Sequence, residues 1–333
     1  MAARRISADA LARKVQRYPG VTRKQRLGAL TSHFPLPPGA RTVAAFGEDC
    51  AVLELPSLHD EYLLFALDAI VPSLLKRAPR FAGYSSILVN VLDVVAMGGT
   101  PIAAVNFLGS TGARFEAEVA VGMAEASAHF GVPVVGGHLH PDDEAPSLAV
   151  SILGRVPKQA CTFSHTARAG DALVVAVDTS GRRLRDYPMA WSPLRGKSRA
   201  AATRRFNAVR RAASRGLISA CKDASNPGII GTLGMLLETS GRGGVVDLSR
   251  VPRPSGVPLE DWILMYQGCG FVMSAHPAHA AALGRTLSAG GFACATVGSV
   301  DGTRRLDLHL DGSRATVFDF TRGGVTGIPP GPG

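Results

Sequence analysis

The sequence predicts an α/β protein with α+β character, built from two domains. Three observations predict it. Short apolar runs alternate with helix-period stretches, the same rhythm occupies both halves, and 333 residues are enough for two cores.

Taken in order, residues 1–40 read as a helical extension. Its amphipathic pattern runs to about His33, and the turn-rich FPLPPGA follows as a linker. A first domain is expected over 41–160. TVAAFGEDCAVLEL reads as a strand, a tight turn at Gly47 to Asp49, and a second strand, and EYLLFALDAIV as a strand with Asp68 near its end. SSILVNVLDVVAMGGTP, residues 85–101, reads as an apolar helix stopped by Gly98, Gly99 and Pro101. IAAVNFLG is a strand, and RFEAEVAVGMAEASAHFG a helix ending at Gly131. VPVVGGHLHP is a strand running into a glycine turn, and SLAVSILGRV returns as a strand.

A second domain is expected over 161–325, with a strand from Ala172 to Val177. A basic stretch follows, then a helix in GIIGTLGMLLETSG, a strand in GVVDLS, and strand, helix and strand in GFVMSAHPAHAAALGRTLSAGGFACATVGSV. The tail, 326–333, ends in GIPPGPG and is expected to be disordered.

Composition narrows the class. No apolar run approaches the ~18 residues of a spanning helix, and the first residues lack the apolar core of a secretory signal. The five cysteines, Cys50, Cys161, Cys221, Cys269 and Cys294, are scattered without a CxxC pair. That argues against a disulfide framework and for a reducing, cytoplasmic setting. The whole net charge of +10 sits between Arg182 and Arg215, where ten Arg and one Lys face the single acid Asp186. Such a patch suits phosphorylated ligands, other polyanions or an acidic partner, or is simply a solvated helix face.

Four aspartates stand out: Asp49 in GEDCA, Asp68 in ALDAI, Asp93 in the apolar helix and Asp223 in KDASNPG. Asp68 and Asp93 interrupt strongly apolar segments, and a carboxylate there needs a cation or a basic partner. Several converging carboxylates favour Mg²⁺, usually with nucleotide phosphates, and Gly47, Gly98, Gly136 and Gly137 would let backbone approach those phosphates. No GxxxxGK[ST] or GxGxxG pattern is present, so such a site is of another design.

GEDCAVLEL, FALDAI, ILVNVLDVVAMGGTPIAAVNFL, VVGGHLHPD and AVSILGRV, in this order, resemble the aminoimidazole ribonucleotide (AIR) synthase, or PurM-like, superfamily. Its members include thiamine-monophosphate kinase, selenophosphate synthetase and a hydrogenase maturation dehydratase. The resemblance runs from about residue 42 to 300 and implies a two-domain PurM-like fold, with an N-terminal mixed sheet that dimerises and a C-terminal α/β domain. It also implies ATP and Mg²⁺ as cofactors. Asp49, Asp68, Asp93 and Asp223 fall on the family's metal-binding acids, with Asn90 beside them, so the resemblance makes these five and the glycines the nucleotide site.

The departures are informative. His138 stands where the family's GGD aspartate is expected, followed by His140 and Asp142, and Asn226 replaces the second acid of DISDG. Imidazole is a poor Mg²⁺ ligand, so the histidines either bind a softer metal, move protons or contact phosphate. His138, His140 and Asp142 are the candidate acid–base group, and Arg195 and Lys197 the candidate clamp for an anionic substrate. No N-terminal or C-terminal cysteine fits the selenophosphate or hydrogenase branches. The expectation is an ATP- and Mg-dependent ligase, cyclo-ligase or kinase-like phosphotransferase acting on a small molecule as a homodimer. Two alternatives stand beside it. One is a nucleotide-binding partner subunit without turnover. The other is a nucleic-acid-binding protein, disfavoured because Phe206 is the only aromatic between Arg195 and Arg215.

Overall fold

A computed structural model of the chain describes residues 6–37, 39–141, 143–266 and 268–331. The chain opens on α1 (Ala8–Gln16), capped by the Ser7 hydroxyl, which accepts from the Ala10 amide at 3.2 Å. Leu11, Ala12 and Val15 form its buried stripe. Two short helices follow, α2 (Pro19–Thr22) and α3 (Leu27–Thr31), joined by a 3₁₀ turn over Arg23–Arg26.

The first sheet is built from β1 (Thr42–Ala44), β2 (Ala51–Leu53) and β3 (Glu61–Ala69). After α4 (Pro72–Arg77) and α5 (Pro79–Ala96) come β4 (Thr100–Gly109), α6 (Ala113–Phe130), β5 (Val134–His140) and β6 (Ser147–Pro157). The spatial order is β1-β2-β3-β6-β4-β5. Only β4 and β5 pair in parallel, because α6 supplies the crossover that a parallel pair needs.

Helix α5 starts at Pro79, six residues before the stretch that looked most helical, and nearly all of it is buried. It packs against the sheet on one side and α6 on the other. A Cβ on Gly83 would fall 2.1 Å from the Val119 carbonyl oxygen, and one on Gly122 would fall 1.9 Å from that of Arg80. Two glycines thus bring the helix backbones together.

The opposite face of this sheet is bare. Leu67 pairs with Ser151 and Ser151 with Val105, so these lie in one cross-strand row. Phe65, Leu67 and Val105 are 50%, 65% and 42% exposed.

The second sheet begins with β7 (Ala172–Val177) and a short ribbon of β8 (Arg182–Arg183) with β9 (Trp191–Ser192). Next come α7 (Arg199–Ser214), β10 (Ala220–Asp223), α8 (Gly228–Thr239), β11 (Gly243–Asp247) and α9 (Leu259–Trp262). The chain continues through β12 (Gly270–Ala275), α10 (Pro277–Gly290), β13 (Ala293–Asp301), β14 (Arg305–Leu310) and β15 (Ser313–Asp319). Seven strands run in the order β10-β12-β7-β13-β11-β14-β15.

Two local expectations are corrected. Gly136 and Gly137 form no turn: β5 passes straight through them, held by its parallel pairing with Val105 and Asn106. Residues 326–331 are packed rather than disordered. The Glu238 carboxylate accepts from the amides of Thr326 and Gly327 at 2.9 and 3.0 Å, and Thr326 in turn accepts from the Gly28 amide at 2.9 Å. No helix among the described residues is long and apolar enough to cross a membrane.

Candidate metal and nucleotide site

Four elements converge beside α5. Asp49 comes from the turn between β1 and β2, Asp68 from the end of β3, Asp93 from α5 and Asp223 from the end of β10. Asp49, Asp93 and Asp223 each place a carboxylate oxygen within 4.8 Å of the others. Asp68 shares the helix-facing side of β3 with the buried Leu64 and Ala66 but opens to solvent at the strand end. All four line one cavity of about 140 Å³.

Beside the acids lies a buried cation that the sequence reading did not single out. Lys222, only 2% exposed, pairs with the Asp49 carboxylate and donates to the Gly47 carbonyl at 3.1 Å. The Asp223 amide donates to the other Asp49 oxygen at 3.1 Å. Burial raises the Asp49 carboxyl above its ordinary value, although Lys222 pulls against the shift. Asp93 is pushed well above the carboxylate range by burial and by the charges of Asp68, Asp223 and Asp49. Asp223 is pushed the same way by burial, Asp49 and Asp68. Burial alone would lower the Lys222 ammonium, but Asp49 and Glu48 hold it above its usual range. One lysine among several crowded carboxylates leaves negative charge over, and hard oxygens at this spacing suit a divalent cation.

The neighbouring acid does something else. Glu48 lines the same cavity, and its carboxylate accepts from the Ser164 amide at 2.7 Å and pairs with His165 Nδ1 at 2.6 Å. Burial pushes its carboxyl up, but His165, Lys222 and Ser164 more than offset this and leave it below its usual value. Adjacent acids in GED therefore take different partners, Glu48 the Ser164–His165 segment and Asp49 the Lys222 ammonium.

Lys24 and Leu27 from the N-terminal segment and Thr326 and Ile328 from the C-terminal segment, which touch each other at Gly28 and Thr326, also line the cavity. A second cavity of about 330 Å³ adjoins it and shares Lys24, Leu27, Asp68, Asp223 and Ser225.

The other candidate residues are dispersed. Gly47 lines the acidic cavity with φ +99° and gives its carbonyl to Lys222. Asn90 is fully buried one turn before Asp93; its amide donates to the Ser86 carbonyl at 2.9 Å and its oxygen has no partner. Gly98 packs against the Ala160 carbonyl, where a Cβ would fall 2.3 Å away, rather than facing the cleft. Gly136, Gly137, His138 and His140 lie on β5, at the edge of the first sheet. His138 pairs with Phe107 in the row beside Val105, so it occupies the bare face, opposite the aspartates, and its ring sits 6.2 Å from that of Phe107. Asp142 lies outside the described residues. Arg195 pairs with Glu125 at 3.2 Å, and Lys197 with the buried Asp178 at 3.1 Å. Neither lines the two cavities.

Residues 47–156 match the N-terminal domain, and 169–311 the C-terminal domain, of AIR synthase related protein. The chain belongs to the AIR synthase related family. An uncharacterized protein of Synechocystis is 34% identical over 284 residues, covering 85% of this chain and 86% of that one. Another, from Methanocaldococcus jannaschii, is 35% identical over 247 residues, covering 74% and 76%. Thermotoga maritima PurL complexed with ATP superposes with a TM-score of 0.70 at 20% identity. That match covers 87% of this chain but only 48% of PurL, so this chain spans about half of that relative and the likeness shows the fold. Within the family the two halves keep the AIR synthase related order and the PurM-like two-domain architecture.

Proposed function

We propose that this AIR synthase related protein is an ATP- and Mg²⁺-dependent enzyme that uses the γ-phosphate to phosphorylate or activate a small molecule. The convergence of Asp49, Asp93 and Asp223 within 4.8 Å carries this reading. These three, with Asp68 at the mouth, would hold the metal, which when bound neutralises phosphate charge. The chain's own residues do the rest. Lys222 pairs with Asp49 and opposes the effect of its burial, the Asp223 amide holds its second oxygen, and residues of both chain ends line the cleft. ATP in the complex of T. maritima PurL supports the nucleotide part.

The acceptor is a carbonyl, amide or phosphate-bearing group, and ligase, cyclo-ligase and kinase-like chemistry all fit it. Arg195 and Lys197, engaged by Glu125 and Asp178, act at most from a distance in this reading. The bare face of the first sheet supports a homodimer, in which His138 and His140 would meet the partner. Phe206 is buried, so the arginine-rich helix α7 offers no ring for base stacking.

Calorimetric titration with a non-hydrolysable ATP analogue tests the proposal, with and without Mg²⁺, on the wild type and Asp93→Asn. Magnesium-dependent binding that the variant loses is the expected result. An analogue that binds neither protein would sink the reading.

A further inference from the structure

The larger cavity beside the aspartates has the make-up of a binding pocket. Its volume of about 330 Å³ falls within the roughly 300–1,000 Å³ usual for small-molecule sites, and its walls include Ile70, Val71, Leu74 and Val89. Two hydroxyls line it. Ser85 is fully buried on α5 and its Oγ has no hydrogen-bond partner. Tyr266 places a buried hydroxyl in the same wall, also without a partner. A buried hydroxyl left unpaired is costly, and a ligand that bonds it would recover that cost. Neither hydroxyl is needed to hold the aspartates.

The cavity also has direction. Ser85 precedes Asp93 by eight residues of helix, about 12 Å along the axis. One end therefore abuts Asp68 and Asp223, and the other lies deep along α5 at Ser85. Arg23 and Lys24 of the 3₁₀ turn line it together with Asp68 and Asp223. An apolar body with a polar group gains from both the walls and the hydroxyls.

We infer that this cavity is the acceptor pocket and takes a mainly apolar small molecule carrying an amide, carbonyl or hydroxyl group. Ser85 and Tyr266 select it by hydrogen bonding. The inference rests on the metal and nucleotide reading for the name acceptor, but the binding itself requires neither metal nor nucleotide.

Saturation-transfer NMR with hexanamide as the probe tests it, on the wild type, Ser85→Ala and Val89→Trp. Adenosine serves as competitor, and the Mg²⁺-loaded ATP analogue is titrated in parallel. Hexanamide is expected to bind the wild type, to weaken at least fivefold in Ser85→Ala and to be lost in Val89→Trp. Binding of the Mg²⁺-loaded analogue should stay within twofold in both variants. No transfer to hexanamide in the wild type overturns the inference. So does displacement by adenosine with a tenfold loss of analogue affinity in Val89→Trp, which would make the cavity the nucleoside's. A wild type that binds hexanamide but no Mg²⁺-nucleotide overturns the acceptor role and the metal reading, and leaves a binding cavity.

Discussion

Lys222, on the edge strand β10 of the second sheet, forms a buried ion pair with Asp49, in a turn of the first. This contact ties the two sheets at the point where the acidic side chains meet. Replacing Lys222 by Met would leave Asp49 without its cation, a loss of about 3–5 kcal/mol for a buried pair. Urea unfolding should show it. Millimolar Mg²⁺ should restore more stability to Lys222→Met than it adds to the wild type, and equal gains would count against a cation site among the aspartates.

The bare face of the first sheet makes a second prediction. Leu67 is 65% exposed in a row with Val105, so Leu67→Lys introduces a charge without disturbing the packed side. Sedimentation should show a dimer for the wild type and a monomer for the variant, with the melting temperature of the isolated fold little changed. A wild type that sediments as a monomer would refute the dimer.

Asp178 is fully buried against Arg205 at 2.6 Å and Lys197 at 3.1 Å, so part of the basic stretch is structural. Asp178→Asn should cost about 3–5 kcal/mol by leaving Arg205 buried and unpaired. Asp178→Leu combined with Arg205→Met should recover much of that loss in chemical denaturation. Additive losses would mean that the two residues are not coupled.

A pH effect is expected in the β14–β15 hairpin. Burial would raise the Asp307 carboxyl, but the Thr316 hydroxyl and Arg314 guanidinium overcome this and hold it below its usual value. A depressed carboxyl adds stability above the unfolded-state pKa, and the contribution is lost as pH falls through the folded value. Asp307→Asn should therefore lose about 1–2 kcal/mol at neutral pH. The gap to the wild type should shrink below about pH 4. A gap independent of pH would assign the loss to shape rather than charge.

Where local pattern and tertiary environment agree, the sequence was readable. Helix α5 announced itself by unbroken apolar residues, and Asp68 and Asp93 by interrupting such runs. The order of these motifs was enough to reach the family. Lys222 was hidden because a lysine next to Asp and Ser looks like surface, and only β10 pairing with β12 reveals that it is inside. The glycines of β5 looked like a turn because their parallel partner, β4, lies thirty residues upstream and leaves no local signal. The β14–β15 hairpin escaped because its alternation is carried by charged residues, and the tail because Pro and Gly conceal the clamp on Glu238.

That clamp bears on the order in which the protein is made. Asp49, Asp68 and Asp93 of the acidic cleft are translated before Lys222 and Asp223, and Thr326 and Ile328 follow later still. While the chain is still on the ribosome, the first sheet can fold with three acidic groups of the cleft in place and Lys24, but not Lys222, already made. Closure of the cleft lining is then a late event, reached when Thr326 settles against Glu238 and Gly28. A ribosome stalled before residue 326 would release a chain with most of the fold and an open cleft.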